Sequence, residues 1–242
     1  MILMKFNKAT FPLMLLIVLA LVLGGCGAKN EDKASEPNKV EEPSNAAEPS
    51  KEAEPTKETE PNKAEQKSWT SPPAMKIDTK KSYQAVINTS KGSFTIELFA
   101  KDAPKTVNNF VFLSKEGYYD DVTFHRIIES FMVQTGDPTG TGAGSPGYSF
   151  EDEKTSYKYE PGIVAMANAG PDTNGSQFFI CTGQDSDFLN QQPNYTIFGK
   201  VTEGMDNVKK IAATPVEVNP ASNEESMPTE KVTIESIEIK EK

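Results

Sequence analysis

The segment 122–140, VTFHRIIESFMVQTGDPTG, carries the side chains of this chain best placed for chemistry. Arg126 interrupts an apolar run, Phe124-His125-Arg126-Ile127-Ile128, and Phe131, Met132 and Val133 follow closely. A guanidinium stays charged at any ordinary pH and loses much on desolvation. Arg126 therefore either leans out to water or is held at the rim of an apolar hollow to act there. The more familiar site chemistries are poorly served. A single histidine, His125, rules out a histidine cluster for a metal. A Cys181–His125 nucleophile pair is formally available. Yet Cys181 ends the apolar run Phe178-Phe179-Ile180-Cys181, with no helix start or turn to lower its pKa, and reads as a buried, inert thiol. Ser176 lacks the Gly-x-Ser-x-Gly elbow. The glycines between Gly136 and Gly147 have neither the lysine of a phosphate loop nor dinucleotide-binding spacing. With no nucleophile, metal or cofactor loop, catalysis must come from positioning and hydrogen bonding.

The elements that position these residues are legible as alternations and caps. Tyr83–Thr89, a Ser90-Lys91-Gly92 turn and Ser93–Phe99 predict a β-hairpin, with Phe94, Ile96 and Leu98 on one face. Ala103–Gly117 predicts a helix, Pro104 suiting its first position and Gly117 its end. Val107, Phe110, Val111 and Ser114 fall on one side of it. A second helix fits Gly204–Ala213, with Met205, Val208, Ile211 and Ala212 inward. The last strand, Lys231–Lys240, slips phase near Ser236, which predicts a bulge. Strands with only two helices point to a closed or nearly closed antiparallel barrel.

The rest of the 242 residues reads as delivery apparatus. Residues 1–25 look like a secretory signal: Lys5 and Lys8, then an apolar Phe11–Leu23, short of the ~20 residues a spanning helix needs. Leu23-Gly24-Gly25-Cys26 resembles a lipobox, whose cysteine becomes the acylated (palmitate-bearing) first residue of a mature lipoprotein. Residues 26–68 then hold lipidated Cys26 and a disordered spacer, with Glu-Pro recurring at Pro37, Pro43, Pro49, Pro55 and Pro61. The folded domain is expected over 69–242. With Cys26 acylated, Cys181 has no disulfide partner. A net charge of −10 without a basic stripe argues against nucleic acid as a partner.

Four stretches together resemble the cyclophilin family of peptidyl-prolyl cis-trans isomerases: Phe124-His125-Arg126-Ile127-Ile128, Phe131-Met132-Val133-Gln134, Met166-Ala167-Asn168-Ala169-Gly170 and 173–180, TNGSQFFI. They keep the family's order, and the resemblance covers about Tyr83 to Ile239. It implies a mainly β fold, a closed eight-stranded antiparallel barrel capped by two α-helices, with the site on its outer face. It implies catalytic Arg126, a proline socket of Phe131, Met132, Phe179 and Leu189, and Gln134 bonding substrate and orienting the arginine. Asn168 matches a residue whose main chain pairs with the peptide, and Ala167 and Gln177 match the neighbouring subsite. Phe188 stands where many members have tryptophan, and Tyr195 where many have histidine, with two or so extra residues around Gln191-Gln192-Pro193. Loss of the indole donor implies weak cyclosporin binding. The expected protein is a monomeric bacterial lipoprotein on the extracytoplasmic face of the cell membrane. It would need no cofactor or metal, and would isomerise Xaa-Pro bonds in proline-containing polypeptides as exported proteins fold. The alternative is a non-catalytic module or holdase that grips proline peptides.

Overall fold

The structure is a computed structural model that describes residues 67–242. The signal, Cys26 and the spacer as far as residue 66 lie outside the described residues. In order come β1 (Tyr83–Thr89), β2 (Phe94–Leu98), α1 (Pro104–Lys115), β3 (Arg126–Ile128), β4 (Met132–Thr135), β5 (Ile163–Met166) and β6 (Phe178–Cys181). A 3-10 helix (Gln184–Gln191), β7 (Ile197–Glu203), α2 (Met205–Ala212), β8 (Val216–Asn219), β9 (Glu224–Pro228) and β10 (Ile234–Glu241) follow.

The expected hairpin is β1–β2, with Ala85 opposite Ile96 and Ile87 opposite Phe94, all inward. Eight strands pair antiparallel in the order β10-β1-β2-β7-β5-β6-β4-β3. The phase slip near Ser236 is a bulge: Asn88 faces Ser236 while Thr89 faces Ile234, so Glu235 is the extra residue.

The closed barrel must be corrected to a curled, open sheet. Its outer strands, β10 and β3, do not pair as strands; only the residues ahead of them meet, through an isolated bridge between Thr123 and Thr233. The reason is local. β3 is three residues long, and the separate β8–β9 hairpin packs along it where a barrel would continue. A third helical element also appears, the 3-10 helix, whose Asp- and Gln-rich sequence gives no apolar period.

α1 begins at Pro104 as expected but is buried on more than one face, Thr106, Asn108, Asn109 and Leu113 included. Two tertiary contacts cause this. The Asn108 amide accepts from Lys76 N–H at 2.8 Å and donates to the Ala74 carbonyl at 3.1 Å, so the segment ahead of β1 straps the outer face. No side chain caps the helix from Ala103; the Glu153 carboxylate does so from another loop, accepting from the N–H groups of Lys105 and Thr106 at 3.0 and 2.8 Å.

Two apolar clusters lie on opposite faces of the sheet. The larger joins Phe94, Phe110, Phe124, Phe178 and Phe198 beneath the helices. The smaller holds Met132, Phe179, Cys181, Leu189 and Ile197 on the outer face. β4 and β6 serve both by alternation: Val133, Phe178 and Ile180 point in, Met132, Phe179 and Cys181 point out. All four residues of β6 are buried for that reason.

Candidate active site

A single row across the sheet builds the site. Arg126 on β3 lies opposite Gln134 on β4, Gln134 opposite Phe179 on β6, and Phe179 opposite Ala165 on β5. Directly opposed residues share a face. The guanidinium, the amide and the ring therefore emerge side by side, with Met132 one row along, opposite Ile128 and Cys181.

Arg126 is the only arginine in the chain. Its Nε and Nη2 donate to the two carboxylate oxygens of Glu224 at 2.6 and 2.8 Å. Its Nη1 turns the other way, 3.4 Å from Gln134 Oε1 and 3.7 Å from Met132 Sδ. The guanidinium carbon sits 5.8 Å from the Phe131 ring centre. The side chain is half-buried at the rim of the apolar cluster, which resolves the placement of a charge inside an apolar run: the strand neighbours Phe124 and Ile127 go to the core, and Arg126 does not.

Beside it lie the residues that the resemblance assigns to a proline socket. Met132, Phe179 and Leu189 are buried, and Phe131 lies 6.5 Å from Phe179, ring centre to ring centre. Tyr195 stands edge-on to Phe179 at 5.5 Å. Its main chain is clamped by the Tyr159 hydroxyl, which accepts from Tyr195 N–H at 3.1 Å and donates to its carbonyl at 2.5 Å. Phe188, 54% exposed, leans on Phe131 at 5.1 Å and extends the aromatic rim.

The second half is a polar relay. Gln134 Nε2 donates to Gln177 Oε1 at 3.0 Å, and Gln177 Nε2 donates to the carbonyls of Gly142 and Gly144, both at 3.0 Å. These residues, with Ala167 and Asn168, line a cleft of about 430 Å³. The Asn168 amide is tied to the Asn194 carbonyl at 2.9 Å, and Ala167 N–H donates to the Gln177 carbonyl at 2.9 Å. Gly136 must be glycine: at φ +89° a Cβ would overlap the Ser176 carbonyl.

Two residues were invisible to sequence reasoning. Asp137, fully buried, accepts from the N–H groups of Thr139, Gly142 and Gly144 at 2.7, 2.7 and 3.0 Å and shapes the glycine loop. Burial opposes its ionisation, but the hydrogen bonds from Thr139, Gly144 and Gly142 outweigh that and hold its carboxyl below the usual range. In sequence, Asp137 is a lone acid between Gly136 and Pro138, with nothing to mark it as an anchor of the loop. Glu224 lies in the polar stretch Asn223-Glu224-Glu225, which carries no periodicity. Arg126 holds the Glu224 carboxyl below its ordinary pKa.

The nucleophile reading fails on burial. Cys181 is buried, and burial pushes its thiol up to about 12. Neither ring nitrogen of His125 has a partner, and burial, aided by Arg126 and opposed by Asp137, lowers its pKa so that it stays neutral. Among the described residues no group of His, Cys, Asp or Glu is arranged to hold a metal ion.

A curled antiparallel sheet with an apolar cluster, a rim guanidinium and an adjoining polar cleft on its outer face offers a surface for an extended peptide. The family model for cyclophilin type peptidyl-prolyl cis-trans isomerases matches residues 84–239, and the chain belongs to that family. Its similar proteins include peptidyl-prolyl cis-trans isomerase CYP18-2 of Arabidopsis thaliana, 48% identical over 139 residues, covering 54% of this chain and 80% of that protein. Peptidyl-prolyl cis-trans isomerase-like 1 of Aspergillus fumigatus is 47% identical, covering 62% and 90%. The mouse peptidylprolyl isomerase domain and WD repeat-containing protein 1 is also 47% identical, covering 66% of this chain, which spans only 24% of that protein's length. A crystal structure of a Cryptosporidium parvum cyclophilin type isomerase in the presence of the dipeptide Ala-Pro superposes with a TM-score of 0.58 at 36% identity, covering 65% of this chain and 98% of that one. The activity of the domain is accordingly peptidyl-prolyl cis-trans isomerisation.

Proposed function

We propose that Arg126 is the catalytic residue of this isomerase and that it works as a fixed hydrogen-bond donor. The bond before proline rotates over a barrier of ~18–20 kcal/mol because amide resonance is lost in the twisted state. Nothing covalent need form. As the bond twists, the proline nitrogen becomes pyramidal and gains a lone pair. A donor aimed at that lone pair stabilises the twist more than the planar ground state. The observation that carries this reading is the direction of Nη1, toward Gln134 and Met132 and away from Glu224. Phe131, Met132, Phe179 and Leu189 then hold the proline ring, with Tyr195 and Phe188 at the rim. Gln134 steadies the peptide and the guanidinium together. The main chain of Asn168 adds an extended peptide as a further strand, and Ala167 and Gln177 receive the residues before proline. The substrates are proline-containing polypeptides. In a proline-switch assay Arg126→Ala is expected to lower kcat/KM by about 10²-fold or more, the scale for removing one oriented donor. Unchanged turnover would remove Arg126 from the mechanism.

The supporting feature for placement is the 1–26 composition: basic start, short apolar run, small residues before Cys26. On that basis the protein is a bacterial lipoprotein, acylated at Cys26 and tethered on the extracytoplasmic face of the cell membrane through its 26–68 spacer. It acts there as a monomer on exported proteins, with weak cyclosporin binding because Phe188 offers no indole donor. Mass spectrometry of the mature chain is expected to find acylated Cys26 as its first residue. An intact Met1 would exclude this placement.

A further inference from the structure

Two of the five N–H donors of Arg126, one on Nε and one on Nη2, are held by a group from outside the eight-stranded sheet, and Nη1 is turned the other way. Glu224 is 98 residues away in sequence and opens β9. The β8–β9 hairpin is a separate two-stranded sheet, closed at both ends by its own hydrogen bonds, and β9 packs along β3. At its base, Thr229 N–H and Oγ1 donate to the Pro215 carbonyl at 2.9 and 3.1 Å. At its tip, Asn219 Oδ1 accepts from Ala221 N–H at 2.9 Å, and the Asn219 carbonyl accepts from Asn223 N–H at 2.8 Å. Asn223 turns the chain with φ +56° immediately before Glu224. The carboxylate thus comes from an internally hydrogen-bonded hairpin packed along β3, the strand that carries Arg126.

The pairing is a two-point fork, Nε to Oε2 and Nη2 to Oε1. Two parallel bonds fix the plane of a guanidinium as well as its position. One bond, or Gln134 alone at 3.4 Å, would leave the plane free to rotate about the long side chain. With the fork made, Nη1 has one orientation, and it is toward Gln134 and Met132. We propose that Glu224 is a positioning residue for the isomerase reaction, acting through Arg126 by fixing the guanidinium plane so that Nη1 faces the proline nitrogen. Glu224 touches no reacting atom itself, and this role rests on the assignment of Arg126 as the donor.

Because a hairpin anchored by an ion pair also has a structural purpose, the test must separate the two. The full chain in detergent is compared as wild type, Glu224→Ala, Glu224→Gln, Arg126→Ala and the Arg126→Ala/Glu224→Ala double variant. Turnover is read by a proline-switch assay and peptide affinity by titration with a short Xaa-Pro peptide. Glu224→Ala is expected to lower kcat by about ten- to a hundredfold, the cost of a misplaced group, with KM and peptide affinity nearly unchanged. Glu224→Gln, which keeps one acceptor, falls between. In the Arg126→Ala background, removing Glu224 is expected to cost nothing more, since there is no guanidinium left to orient. Wild-type turnover in Glu224→Ala, faster turnover, or an equal loss in both backgrounds overturns the proposal. If Glu224→Ala is inactive while Arg126→Ala is not, both this role and the donor assignment fail. If Arg126→Ala is inactive and Glu224→Ala is not, only the role of Glu224 fails.

Discussion

Arg126 and Cys181 show how the same sheet gives two reactive side chains opposite fates. Both emerge on the outer face, yet Cys181 lies under Leu189 and Met132 in the apolar cluster while Arg126 stands at its edge with a carboxylate beside it. A thiol pushed up to about 12 by burial has a vanishing thiolate fraction at neutral pH. Alkylation at pH 8 is therefore expected to leave the Cys181 peptide unmodified and turnover intact, and to modify Cys181 only after unfolding in urea. Rapid modification of the folded chain with loss of turnover would reopen a thiol mechanism. The residue types raised Arg126 and the inert thiol, whereas Phe131 and Phe179 were singled out only through the family resemblance. The residue types could not disclose Glu224 or Asp137, because a lone acid in a polar stretch looks the same whether it is solvated or reaching across nearly a hundred residues to a partner.

Elements with their own period were readable, and elements defined by partners were not. The β1–β2 hairpin followed from strict alternation, and the bulge in β10 from a single slip of phase. α1 was readable as a helix but not as a nearly surrounded one, because its outer cover is the Lys76 and Ala74 main chain and its cap is Glu153. The 3-10 helix had no apolar period to detect, yet it sets Phe188 and Leu189 against the socket. It is pinned there by Asp185 N–H donating to the Ser130 carbonyl at 2.9 Å and Ser130 Oγ donating to the Asp185 carboxylate at 2.5 Å. The β8–β9 hairpin is the sharpest case. From sequence it is a Glu-rich polar connection; in the fold it replaces a barrel seam along β3 and presents the carboxylate that grips the guanidinium.

Two carboxylates, one in the glycine loop and one on the β8–β9 hairpin, put the folded state under acid control. Asp137 and Glu224 both have folded-state pKa values below their ordinary ones, Asp137 through hydrogen bonds that overcome burial, Glu224 through Arg126. The sign follows by linkage. The unfolded chain binds protons at about pH 4, the ordinary carboxylate range, whereas the folded chain resists them until lower pH. Their contribution to stability is therefore complete above about pH 5 and is lost as pH falls through the folded pKa values. Asp137 is the cleaner probe, since its carboxylate accepts from three main-chain N–H groups and Glu224 is a third exposed, where water screens the pair. An asparagine at 137 keeps one acceptor oxygen but turns an NH₂ group toward N–H donors that need an acceptor. Asp137→Asn is thus expected to lower Tm clearly at pH 7, and the gap to wild type is expected to shrink as pH falls from 5 to 3. A gap that stays constant over that interval would mean that the glycine loop does not depend on the ionised carboxylate.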